Sequence, residues 1–183
     1  MPKGQTGCVL GNSSTSIKWR ERMAKPELKN IVLGFLTVRD IESSGLRGGY
    51  LLTSEYGRPL EFHYTSVLHI SKVQRALHGS GFEPYVYAQV LALPLTERQT
   101  TPPQMIVVDH PALLEIRKRI PAPVLLFERE SEQLTPHVDF QHDLQAMEKL
   151  RTYLPVSFNL HEPFERIEQA IHELREQSAA MVA

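Results

Sequence analysis

The residues of this chain whose types and spacing could do chemistry fall in three short stretches of its 183 residues. The first is Gly45 to Thr65, GLRGGYLLTSEYGRPLEFHYT, where a glycine-rich segment stands close to Arg47, Arg58, Glu61 and His63. Successive backbone N–H groups in a glycine-rich loop form an anion-binding concavity. With Arg47 and Arg58 beside it, such a loop would hold a phosphate or carboxylate. His63 would then serve as acid or base, with Glu61 fixing its tautomer. The pattern is not a phosphate loop: it lacks G-x-x-x-x-G-K-S/T, and no helix follows directly. A solvated outer face of an antiparallel sheet is the plainer expectation, and a binding surface the next.

The second stretch is His137-Val-Asp139-Phe-Gln-His142-Asp143. Imidazole with carboxylate suits zinc, manganese or iron, so His137, Asp139 and His142 are the candidate ligands of a divalent metal. Their spacing argues against it. On a helix His142 falls off the face of His137, and on a strand His137 aligns with Asp139 but not with His142. A metal site would need a further ligand, such as Glu128 or Asp109. A loop entering a helix explains the acids without a metal, because Asp139 or Asp143 near a helix N-terminus is favoured by the helix dipole.

The third is Asp109-His110, at the end of the apolar run QMIVVD. Ligands of open α/β sheets bind beyond the carboxyl ends of parallel strands, which gives an acid there interest. An Asp capping the following helix is the simpler account. The stretch VVDHPALLEIRKR resembles the opening strand and helix of PIN-type nucleases, over these residues alone and on one acid, so no membership follows. Nucleophile patterns are absent: there is no G-x-S-x-G elbow. Cys8 is the sole cysteine, which excludes an intrachain disulfide and a cysteine-based zinc site.

Several elements must position these residues. NIVLGFLTV, residues 30–38, reads as a buried central strand. Tyr50–Ser54 and Pro59–Thr65 read as a hairpin. A three-residue loop Glu55-Tyr56-Gly57 with Gly57 left-handed would set Leu52 opposite Leu60 and Tyr50 opposite Phe62, segregating apolar from polar. A two-residue loop would instead set Leu52 opposite Glu61 and Tyr50 opposite His63. Ser71 caps a short helix closed by Gly79. Tyr85–Leu93 leans to helix. Gln104–Asp109, a helix opened by Pro111 and Val124–Glu128 form a βαβ crossover with a parallel pair. Leu144–Leu154 is amphipathic, and Phe164, Ile167, Ile171 and Leu174 form a narrow seam on a last helix, more readily docked on its own domain than on a partner.

The expected fold is therefore mixed α/β: N-terminal antiparallel strands and a hairpin joined to a βαβ unit, with C-terminal helices. Residues 30–183 would form one domain. Residues 1–29 form a basic arm, with six Lys and Arg against two Glu, which leaves the remainder at −5 of the total −1. The short helix around Trp19 in this arm would pack on its own domain; the alternative is that Trp19 anchors the arm on a partner. That acidic body offers no broad phosphate-binding surface, so nucleic acid is a partner only through the arm. No run approaches the length of a membrane span, and the start lacks a secretory h-region, so a cytoplasmic protein is expected. The favoured function is a non-catalytic accessory subunit that binds a protein partner through arm, hairpin or last helix, with no cofactor. The alternative is a metal-dependent hydrolase or nuclease acting on phosphoesters.

Overall fold

The computed structural model describes residues 31–41 and 45–180, with the side chains of 178–180 excepted. The basic arm and Trp19 lie outside the described residues.

β1 (Val32–Ile41) is apolar through its first seven residues except Thr37, and buried there on both faces. A strand of that kind must be covered on both sides by other layers. It pairs antiparallel with β2 (Gly45–Ser54) and parallel with β4 (Met105–Val108). β3 (Pro59–Tyr64) extends the sheet beyond β2, and β5 (Val124–Glu128) and β6 (Gln133–Pro136) extend it beyond β4. The sheet order is β3-β2-β1-β4-β5-β6. The mixed α/β class, the parallel pair and the C-terminal helices are as the periodicities require. β6 has no counterpart in the expected elements, being only four residues long and without alternation.

Two helical layers cover the sheet. One face packs Leu36, Tyr50, Leu52, Ile106 and Val108 against a π-helix (Pro84–Ala92) and a 3-10 helix (Pro111–Lys118). The π register holds to its end, where Leu93 N bonds to Ala88 O, five back. Two short helices flank this layer: α1 (Lys72–His78), capped by Ser71 and Gln74 in a reciprocal capping box, and α2 (Leu93–Glu97). The other face packs Leu33, Phe35, Leu51, Met105 and Val107 beneath α3 (Asp143–Arg151) and α4 (Glu162–Ala180). Phe164, Ile167 and Ile171 are buried there, so the α4 seam docks on its own domain.

Two features of the hairpin region differ from expectation. GLRGG is not a loop: all of Gly45–Gly49 is ladder, with Arg39 opposite Arg47 and Thr37 opposite Gly49. Its glycines let helices approach. A Cβ on Gly49 would lie 2.5 Å from Ile167 Cγ2, and one on Gly48 would lie 3.0 Å from Leu95 Cδ1 on the other face. The register also differs. The turn itself is the expected one, with Gly57 left-handed at φ 73° and Gly57 N bonded to Ser54 O. A bulge at Leu60 then shifts the pairing, so that Tyr50 faces His63 and Leu52 faces Glu61. Segregation of apolar from polar decides register only where one face is solvated. Here both faces of β2 are buried, and that criterion does not operate.

Candidate functional site

Because β1, β4 and β5 run parallel, their carboxyl ends lie on one side of the sheet. Strand alternation turns Thr37, Arg39 and Asp109 toward α4. There they meet Arg129, just past β5, and Glu168 of α4. Asp109 is 1% exposed. Its Oδ2 accepts from Thr37 Oγ1 at 3.0 Å, from Arg39 Nη2, and from Arg129 Nη2 at 3.4 Å. Glu168 Oε1 accepts from Arg39 Nε at 3.0 Å, from Arg39 Nη2, and from Arg129 Nη2 at 2.6 Å. Burial alone would raise the Glu168 pKa, but the bonds from Arg129 and Arg39 overcome it and hold the carboxyl below its usual range. Burial likewise opposes the Arg39 charge, and Asp109 and Glu168 restore it with a net upward shift. Two cations thus meet two anions in a closed network, with Asp109 Oδ1 buried and unbonded. The network ties α4 to the end of the sheet.

The Asp109 cap does not form. His110 takes that position, its Nδ1 accepting from Ala112 N at 3.2 Å. Asp109, just past β4, is turned under α4, and His110 falls at the extended entry to the 3-10 helix. Thr37, Arg39, Arg129 and Glu168 were not legible as a group. The available signal was Arg39 and Asp40 ending an otherwise apolar strand.

At the hairpin, Glu61 and His63 do come together, with His63 Nε2 3.0 Å from Glu61 Oε2. Glu61 also accepts from Thr100 Oγ1 at 2.6 Å and from the Thr100 and Thr101 backbone N–H groups at 3.0 and 2.8 Å. Burial would raise its pKa, yet these donors, Thr100 foremost, hold it well below the carboxylate range. The His63 ring stacks on Tyr50, whose hydroxyl donates to Gln99 Oε1 at 2.7 Å. Burial, aided by the Glu61 charge, pushes that phenol up, so it stays protonated. Beside His63 lies a cleft of about 500 Å³, lined also by Thr65, Ser66, Val90, Pro94 and Arg98. Arg58 sits exposed at the hairpin tip, where its backbone bonds to the Ser54 N–H and hydroxyl. Arg47 lies on the opposite face from Glu61 and His63, buried at 7% exposure, its guanidinium carbon 6.0 Å from the Tyr64 ring centroid.

β3 has no neighbour on its outer side among the described residues. Thr65 N donates to Gly48 O, so antiparallel alternation turns the N–H and C=O of Tyr64 and Phe62 away from β2. Exposed apolar side chains flank these groups: Tyr56 at 71%, Leu60 at 49% and Tyr64 at 43%.

His137, Asp139 and His142 do not converge. His137 is buried against Glu115 at 3.3 Å, and its Nδ1 accepts from Asp139 N at 3.1 Å. His142 is exposed and faces Asp143 Oδ1 at 3.4 Å. Among the described residues no group of three or more His, Cys, Asp or Glu is placed to hold a metal ion. Asp143, the first residue of α3, is fully buried. It receives Arg117 Nε at 2.7 Å, Arg117 Nη2 at 3.1 Å and Val124 N at 3.1 Å, so a residue read as a helix-entry acid is a buried ion pair. Among the described residues no helix is long and apolar enough to cross a membrane.

No known protein-family model matches the chain. No curated protein matches it either. Among solved structures it is similar to Ciona intestinalis endonuclease V in complex with DNA containing an inosine followed by a ribo-adenosine. One such complex, with a 23mer, aligns at 10% identity and a TM-score of 0.31, covering 78% of this chain and 69% of that one. Another, with a 24mer, aligns at 11% identity and a TM-score of 0.31, covering 77% and 69%. At that TM-score the likeness assigns nothing to this chain.

Proposed function

We propose that the protein is a non-catalytic accessory subunit of the cytoplasm that takes an extended segment of a protein partner onto the free edge of β3. The observation that carries this reading is the outward set of N–H and C=O groups on Phe62 and Tyr64, flanked by exposed Leu60 and Tyr64. Main-chain bonds to such an edge supply affinity, and pockets for alternate side chains supply selectivity. Natural edges are usually blunted by charge, proline or brevity. β6, the opposite edge, has four residues and ends in Pro136. β3 carries Pro59 and the Leu60 bulge at its beginning only, which leaves Phe62 to Tyr64 open.

The test is capture of the partner by the tagged full chain, identification by mass spectrometry, and recombination of the two purified proteins. Amide exchange at Phe62 and Tyr64 is expected to slow by about 100-fold or more in the complex, since exchange then requires opening of the new ladder. The variant carrying Leu60→Ser and Tyr64→Pro removes two exposed apolar side chains and one outward N–H that β2 does not use. It is expected to lose the partner while still folding. Undiminished capture by that variant, or unchanged exchange at both amides, refutes the edge as the binding surface.

A further inference from the structure

We infer that Arg47 is a buried receptor for a carboxylate, supplied by an acidic side chain of the partner segment. The identity of the carrier rests on the reading of β3 as the docking edge; the anion site itself does not. Arg47 is more than nine-tenths buried, and neither Nε nor Nη1 has a hydrogen-bond partner. A guanidinium taken out of water without a counter-charge is costly, and buried charges are paired or coordinated as a rule. The surroundings deepen the deficit. Arg47 stands directly opposite Arg39 on the β1–β2 ladder, and like charges directly opposite one another are destabilising. The carboxylates that serve Arg39, those of Asp109 and Glu168, are shared with Arg129. Among the described residues no carboxylate answers Arg47.

The position also fits the docking edge. Arg47 is on the same face of the sheet as Phe62 and Tyr64, two residues beyond Gly49, which pairs with Tyr64. β3 ends at Tyr64, and the chain beyond it stays beside β2 past Arg47, with Thr65 N bonded to Gly48 O and Leu46 and Leu68 bonded to each other. Among the described residues, the half-exposed Tyr64 ring is the one aromatic ring over the guanidinium, as a cation–π contact. A strand laid along β3 would place a side chain beside Tyr64 on this face. A carboxylate from there would meet a planar donor already stripped of water, the setting in which bidentate pairing with arginine is strongest.

Two measurements on the full chain decide the matter. In the first, acetate is the carboxylate probe, and melting temperatures are compared in potassium acetate and potassium chloride at equal ionic strength. Acetate is expected to raise the melting temperature of the wild type by about 2 °C or more, by mass action on the folded state. Arg47→Met and Arg47→Gln are expected to abolish the difference, the second variant guarding against a packing artefact of the first. Equal acetate response in wild type and both variants overturns the anion site. In the second, Arg47→Met is expected to weaken the purified complex by roughly tenfold or more, as truncation of one partner of a buried charge pair does. A complex as tight as wild type overturns the partner as the source of the carboxylate and leaves the β3 edge standing. Capture that survives the β3 variant instead removes the edge reading, whatever acetate does.

Discussion

Replacing Asp143 by alanine should be among the most damaging single changes away from the hairpin. Its carboxylate is fully buried and takes three donors, two from the nearly buried Arg117 and one from Val124 N. Arg117 is further held by its bond to Ile120 O at 3.0 Å and by the Phe140 ring 4.3 Å from its guanidinium carbon, so it cannot readily swing out to water. Asp143→Ala therefore strands a charge inside the fold and leaves the first N–H of β5 unsatisfied. Breaking one side of a buried pair costs about 3–5 kcal/mol. For a chain of this size that corresponds to a melting temperature lower by roughly 6–20 °C. Urea denaturation followed by circular dichroism, with an unchanged m-value, measures the loss directly. Arg117→Leu combined with Asp143→Leu removes the stranded charge and should recover a large part of the loss, leaving chiefly the unbonded Val124 N–H. If Asp143→Ala lies within about 1 kcal/mol of wild type, or the double variant is no better than the single, the pair is not the staple described.

Two further outcomes follow from the same geometry. Glu61→Gln should lower stability at neutral pH, and the deficit should shrink progressively in acid. The folded carboxyl titrates below its unfolded value near 4.3, so its contribution is present above that pH and is lost as pH falls through the folded pKa. Melts from pH 7 down to pH 2 check this, and a deficit of the same size at every pH in that range argues against it. Gly49→Ala should cost about 1–3 kcal/mol, because the new Cβ would sit 2.5 Å from Ile167 Cγ2. Gly81→Ala, with nothing within 4 Å, serves as the neutral control; equal stability of the two variants would contradict the close approach of α4.

What the amino-acid order reveals here follows physical range. β1, β4 and β5 were legible because unbroken apolar runs between turn residues admit few other readings. The α4 seam was legible because a 3-4-3 spacing marks one helical face. Gly57 was legible because a three-residue hairpin loop requires a left-handed residue. The hairpin register was not, because a solvated outer face was assumed where a second helical layer lies. Gly45, Gly48 and Gly49 read as loop for a related reason: a residue without a side chain gives the same signal in a turn as in a strand that helices approach closely. The Glu61–His63 pair, two residues apart on one strand, could be read locally. The Arg39–Asp109–Glu168–Arg129 network could not, since its members come from four segments and meet only once the sheet order is set.

The adjacent glycines of β2 have a consequence for how the layers are held in alignment. Gly48 receives the α2 side and Gly49 receives α4, on opposite faces of consecutive residues. A slip of one residue along β2 would exchange the two faces and drive Arg47 or Tyr50 into a slot shaped for hydrogen alone. The two helical layers therefore act as a pair of keys in one lock, each fixing the phase of the strand for the other. Neither hairpin hydrogen bonding nor loop length need carry that information. A single inserted or deleted residue anywhere in Gly45–Ser54 should misalign both layers at once, whereas the same change in the exposed α1 would disturb neither.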